Sequence, residues 1–179
     1  MIEGFLNNHE YDRLGAYLQE IRPSVHDSEP LNLFQNIVVD VLVRFYERAA
    51  KQGGIEFNAR LEVGREIAIP DADLCAVLSN LLENAIEACT RQQEGNRIIS
   101  LGMTQTGASL LIRMENSAGG HVRMQGKDFL SSKEDGRKGY GLGSVAAIAK
   151  RLGGEAGFTW DDETGVFVST VLLKERPLD

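Results

Sequence analysis

The sequence predicts an α+β domain, a two-layer sandwich in which helices cover one face of a sheet. Three observations predict it: helical spacings fill most of the first half, two strand pairs with hairpin-like connections follow, and one more helix stands between those pairs. The 179 residues, 42% of them hydrophobic, suit one globular domain with a good core and a small appendage.

The first helix is "EYDRLGAYLQEI", with Leu14, Tyr17, Leu18 and Ile21 at helical spacing, ending before Pro23 and Pro30. A longer helix, "LNLFQNIVVDVLVRFYERAAKQ", runs from Leu31 to its stop at Gly53 and Gly54. In "IEFNARLEV", Ile55, Phe57, Ala59, Leu61 and Val63 alternate with mostly polar residues, the period of a strand with one buried face. Pro70 and a cap at Asp71 open a helix containing "LSNLLENAIEAC". "RIISLGM" and "ASLLIRME" then form a hairpin around "TQTG", and "GEAGFTW" and "VFVSTVLL" form another around "DDETG". Between the hairpins, "NSAGGHVRMQGKDFLSSKEDGRKG" has no clear period, and a connection this long is usually functional or mobile. It leads into "YGLGSVAAIAKRLGG", a helix with Leu142, Val145, Ala146, Ile148 and Ala149 on its apolar stripe.

Lys plus Arg number 19 against 26 Asp plus Glu, a net charge of −7, which argues against a broad nucleic-acid footprint. Cys75 and Cys89 share one helix, about 21 Å apart at 1.5 Å per residue, so they cannot pair and are expected as small core residues in a reducing compartment. No apolar run is long enough to span a membrane, because Asp40 interrupts "NIVVDVLVRF", and "MIEGFLNNHE" lacks the features of a signal peptide. A soluble, cytosolic chain is expected. His9, His26 and His121 have no partners at metal-ligand spacing, and no Ser, His and acid set suggests a nucleophile.

Asn80 and Asn84 are the first candidates for a site. Leu74, Val77, Leu78, Leu81, Leu82, Ala85, Ala88 and Cys89 share one helical arc, with Asn84 at its edge and Asn80 and Glu87 just beyond. Two asparagines in one helix cost about 1 kcal/mol in propensity. They fit either a polar edge meeting water or the lining of a polar ligand site. In "GYGLG", Gly139, Gly141 and Gly143 bracket a helix start, where backbone N–H groups and the helix dipole favour a phosphate; an ordinary glycine-rich turn has the same composition. The spacing is not G-x-G-x-x-G, and no P-loop is present. Asn116, at a strand end, could hydrogen-bond a base or simply belong to a turn, and Lys133 could meet a phosphate or only solvent.

The conjunction is more specific than its parts: "NLLENAIEA", a strand ending in Asn followed by "AGG", a loop with "FLSSK", and "GYGLG" opening a helix, in that order. From about Leu31 to Leu173 the chain resembles the Bergerat-type ATP-binding fold of sensor histidine kinases, gyrase, chaperone and mismatch-repair ATPases. It looks most like the catalytic domain of AgrC-like sensor kinases of the peptide quorum-sensing class, through "DLCAVLSNLLENAIEAC". The resemblance implies ATP and Mg²⁺ as cofactors, with Asn84 as the metal ligand, Asn80 beside it, and Asn116 and Gly120 at the adenine pocket. It places Lys133 in the ATP lid, makes Asn80 and Lys133 the catalytic pair, and gives the phosphates to Gly139, Gly141, Leu142 and Gly143. Two positions depart from the pattern: Asn116 where the wider fold has Asp, and Glu87 where many kinases have Lys.

The resemblance further implies that residues 1–30 are a remnant of a dimerisation and phosphotransfer hairpin, and that residues 31–179 form the catalytic domain. That domain would transfer the γ-phosphate of ATP to a histidine upstream of Met1, on the dimerisation helix of a homodimeric receptor kinase, for relay to a response regulator. The chain would then be the cytosolic part of a membrane-bound receptor. Alternatives are a nucleotide-gated interaction module and an ATPase; hydrolysis is disfavoured because Asn80 stands where the ATPases carry a Glu general base.

Overall fold

The structure, a computed structural model, describes residues 2–26, 36–118, 124–125, 128–129 and 140–174. A short helix α1 (Ile2–Asn7) opens the chain and ends in a Schellman turn. His9 takes a φ of 56°, its N–H bonds to the Leu6 carbonyl at 3.0 Å, and the Glu10 N–H reaches back to Phe5 at 2.8 Å. Helix α2 (Tyr11–His26) follows, and it does not stop before Pro23 as the sequence suggests. Pro23 stands in its last turn, where the missing N–H removes one hydrogen bond and little helix remains to be disrupted.

Helix α3 (Ile37–Gln52) begins at Ile37 rather than Leu31, because Asn36 is its N-cap. Asn36 is extended, at φ −106° and ψ 125°, and its side-chain oxygen accepts the Val38 and Val39 N–H groups at 3.0 and 3.2 Å. Gly53 ends this helix as expected. After strand β1 (Glu56–Glu62) comes α4 (Asp71–Arg91), whose cap position is Pro70. Asp71 is therefore the first helical residue and not the cap; with Asp73 it puts negative charge on the positive end of the helix.

Strands β2 (Ile98–Thr106) and β3 (Ser109–Ser117) form a tighter hairpin than expected, since Thr106 pairs with Ser109 and only Gly107 and Ala108 make the turn. Gly107 has a φ of 57°, which a side chain would resist and which lets "TQT" join the strand. Two short strands, β4 (Met124–Gln125) and β5 (Asp128–Phe129), pair within the long connection that showed no sequence period. Helix α5 (Tyr140–Arg151) and the hairpin of β6 (Glu155–Asp161) and β7 (Val166–Lys174) complete the described chain.

The main sheet has the order β1-β2-β3-β7-β6, so β1 and β6 are its outermost strands. β1 and β2 are parallel, with α4 as the crossover between them, and every other pair in this sheet is antiparallel. Ile99, Leu101 and Met103 of β2, Leu110, Ile112 and Met114 of β3, and Val171 and Leu173 of β7 are buried towards the helices. On outermost β1 the alternation is weaker: Phe57 and Leu61 are half-buried and Ala59 is exposed. Helix α4 is the hub, packing on α2, α3, α5, β2 and β3. Leu6, Leu14 and Leu18 of the first two helices join the same core as Leu74 and Leu78 of α4. Cys75 and Cys89 are free and buried. Among the described residues no helix is long and apolar enough to cross a membrane.

Candidate functional site

The periodicity of α4 buries Leu74, Val77, Leu78, Leu81, Leu82, Ala85 and Cys89 and leaves Asn80 and Asn84 half-buried on one flank. That flank meets the first turn of α5. A Cβ added to Gly141 would stand 3.0 Å from Asn84 Nδ2 and 3.2 Å from Asn80 Oδ1, so only glycine lets α5 approach the amides this closely. Asn80 Nδ2 donates to the Ala76 carbonyl at 2.7 Å, one turn back, which fixes the amide. Asn84 Nδ2 is buried and has no hydrogen-bond partner, a state that ordinarily costs about 1–3 kcal/mol. The first turn of α5 carries no acidic side chain, and its last turn holds Lys150 and Arg151, so its positive end is not neutralised from within the helix. An orphaned donor, a second amide and an uncompensated helix N-terminus thus converge on one point, a combination that fits an anion accompanied by a hard cation.

Asn116 occupies the far end of the same interlayer space. It follows Leu110, Ile112 and Met114 in the inward phase of β3, lies between Ile99 and Phe167, and is 5% exposed. Its Nδ2 donates to the Ser117 carbonyl at 3.0 Å. Cys89 Sγ lies 3.2 Å from that same oxygen, which sets Asn116 at the level of Cys89 on α4, about 7.5 Å along the helix axis from Asn84.

The other flank of α4 is closed by α3 and α2. Tyr46 Oη donates to Glu83 at 2.8 Å, and burial, with the Glu83 carboxylate nearby, raises the Tyr46 and Tyr11 phenols above their ordinary range. Burial pushes the Cys75 thiol up to about 12 and also raises that of Cys89. These groups stay neutral at physiological pH and brace the helix that carries the asparagines.

The structure therefore brings Asn80, Asn84 and Gly141 together and sets Asn116 at the opposite end. Leu142 is half-buried against the core, while Gly143 is exposed with open space where a side chain would go. Gly120, Lys133, Gly139 and most of the expected ATP lid lie outside the described residues. The shared contacts of Cys89 and Asn116 with Ser117 join positions 28 and 1 residues apart, and only a cysteine on the sheet-facing arc hinted at them. Among the described residues no three His, Cys, Asp or Glu side chains gather as a metal site.

Known proteins resemble the chain at two levels. Sensor histidine kinase DpiB of Escherichia coli (strain K12) is 27% identical over 192 aligned residues, covering 99% of this chain and 34% of that protein, so the chain spans about a third of its relative. The nucleotide-free catalytic domain of histidine kinase ThkA superposes over 77% of this chain and 90% of its own, with a TM-score of 0.57 at 16% identity. A histidine kinase from Burkholderia phymatum STM815 covers 97% of this chain and 94% of its own, with a TM-score of 0.56 at 13% identity. These structures share the fold, the Bergerat arrangement expected from the motifs. A profile of the GHKL domain matches residues 70–174, more than half of the chain and the whole span from the asparagine helix to the last strand, and the chain accordingly belongs to the GHKL domain family.

Proposed function

We propose that this chain is the ATP-binding catalytic part of a two-component sensor histidine kinase. The observation that carries the reading is the buried, unpartnered Nδ2 of Asn84, facing the start of α5 beside Asn80 Oδ1. An amide offers both a donor and an acceptor, so Asn84 can donate to a phosphate oxygen and turn its carbonyl oxygen to Mg²⁺. Backbone N–H groups around Gly139, Gly141, Leu142 and Gly143 bind the phosphates, Asn116 and Gly120 hold the base, and Lys133 closes over the phosphates from the lid. The nucleotide, when bound with Mg²⁺, supplies the transferable phosphoryl group. The chain's own part is positioning and charge neutralisation, which suffices for transfer to a histidine brought in line. Water activation is not part of this reading, because Asn80 has no basic carboxylate and its amide nitrogen is tied to Ala76.

Residues 1–30 are assigned to a dimerisation hairpin and residues 31–179 to the ATP-binding domain. The acceptor is a histidine of the dimerisation helices and the next recipient a response regulator, within a homodimeric receptor kinase whose catalytic part is cytosolic. We do not assign that role to His9, which stands in the left-handed turn after α1 rather than on a helix, with its Nδ1 2.8 Å from the Tyr11 hydroxyl. Membership of the peptide quorum-sensing class rests on "DLCAVLSNLLENAIEAC" alone. Calorimetric titration with ATP and Mg²⁺ tests the binding step: Asn84→Ala is expected to lower affinity at least about tenfold with the fold intact. Labelled ATP and a separately made acceptor hairpin test transfer, with label expected on the hairpin and none on His9. Unchanged affinity in the folded variant, or label at His9, would overturn the assignment.

A further inference from the structure

Two carboxylates stand on α4 beside the asparagine pair, where an incoming polyphosphate would meet repulsion. Glu87 has a cation one turn on, Arg91, at 3.7 Å. Glu83 comes just before Asn84 and three residues after Asn80, so its Cβ lies about 5–6 Å from that of Asn80. Among the described residues no lysine or arginine pairs with Glu83. Its carboxylate is met instead by a neutral donor from another helix: Tyr46 Oη of α3 donates to Glu83 Oε1 at 2.8 Å, and Tyr46 is only 4% exposed. Tyr11 of α2 is on the same side, since burial and then the Glu83 charge raise its phenol. The carboxylate therefore lies towards α2 and α3 and not towards Gly141.

A glutamate in a helix reaches neighbours three or four positions away, so without Tyr46 Oη this one would be free to swing round to Asn80. There its oxygen would compete with the Ala76 carbonyl for Asn80 Nδ2, now bonded at 2.7 Å, and draw Asn80 Oδ1 from its place beside Gly141. Its charge would also oppose the anion, in a half-buried place where water screens it less than in the open. We infer that Tyr46 is a positioning residue whose hydroxyl holds the Glu83 carboxylate on the α3 side of α4, away from Asn80 and Asn84, so that an anionic nucleotide is admitted to the asparagine flank. This rests on the nucleotide-binding reading above. It gives Tyr46 a task beyond filling the core, since a phenylalanine would fill the same space.

The whole chain is titrated calorimetrically with ATP and Mg²⁺. Tyr46→Phe is expected to bind about fivefold more weakly, and the deficit is expected to shrink as salt is raised. Glu83→Asp keeps the charge but is one methylene too short for the phenol, and it is expected to weaken binding by a similar factor. Glu83→Gln, an uncharged acceptor of the same reach, is expected to bind within about twofold of the native chain. The variant that decides joins Tyr46→Phe with Glu83→Gln: the hydrogen bond is still weakened, but no charge remains to be held, so affinity is expected to return to within about twofold of native. A loss of packing or of helix position alone would leave the double variant as weak as Tyr46→Phe. Native affinity in a folded Tyr46→Phe or Glu83→Asp chain, or a double variant that stays weak, overturns the inference while the ATP site stands. Should Tyr46→Phe fail to fold, equal binding by Glu83→Asp and Glu83→Gln overturns it. Failure of the native chain to bind ATP overturns the site itself and the inference with it.

Discussion

A methyl group at Gly141 would stand 3.0 Å from Asn84 Nδ2 and 3.2 Å from Asn80 Oδ1, inside the comfortable range for a carbon atom. Alanine is favoured over glycine within a helix by about 1 kcal/mol, and the crowded amides are ends of side chains that can shift by a few tenths of an ångström. Gly141→Ala is therefore expected to leave the melting temperature level or slightly raised while weakening Mg²⁺-dependent ATP binding about tenfold or more, because the amides move from where the phosphates need them. A thermal melt beside a calorimetric titration separates the two effects; lowered stability with normal affinity would contradict the close approach. At this scale the asparagines and Gly141 were legible in the sequence, since spacing of four on a helix and a glycine at a helix start are local patterns. The link between Cys89 and Ser117 was not, because 28 residues separate its ends and only the closing of helix onto sheet creates it.

Arg151 in the last turn of α5 forms a bidentate pair with Asp73 in the first turn of α4, at 2.6 and 3.2 Å. The pair pins the end of α5 that lies away from Gly141, and its hydrogen bond to Asp73 raises the Arg151 pKa further above its usual value. With the arginine side chain 55% exposed, solvent screening limits its worth to about 0.5 kcal/mol. Each residue also opposes the dipole of its own helix, which adds a few tenths. Asp73→Ala or Arg151→Ala is expected to cost about 0.5–1 kcal/mol in urea unfolding, and the exchanged pair Asp73→Arg with Arg151→Asp to recover only part, since both charges then stand at the wrong helix ends. Full recovery would mean that the dipoles contribute nothing. Where sequence and structure differ among the elements, a local rule yielded to its neighbourhood. Pro23 was carried through by the last turn of α2, and the apolar run around Asn36 disguised a cap as helix interior. "TQT" joined a strand because Gly107, at a φ of 57°, could turn the chain right after it.

Helices stacked on one face of a sheet were foreseeable from the order of periods along the chain. The parallel pairing of β1 with β2 was not, because strand direction follows from the crossover made by α4 and not from any strand's own residues. The outermost strands have a consequence for how the molecule behaves in company. If two copies met through β6 about a two-fold axis, centred antiparallel pairing would set Glu155 of one against Asp161 of the other at both ends of the new ladder, with no cation on the strand to relieve them. Through β1, Glu56 would likewise face Glu62, softened only by Arg60. Such repulsion exists only while the carboxylates are ionised. The Thr164 hydroxyl and the N–H groups of Glu163 and Thr164 hold the Asp161 pKa below its ordinary value, so its charge persists further into acid. The chain is expected to stay dispersed at neutral pH and to scatter light increasingly below about pH 4, and Glu155→Gln with Asp161→Asn is expected to bring that onset to higher pH. An onset that the double variant does not move would mean that charge at the sheet's margin is not what keeps these molecules apart.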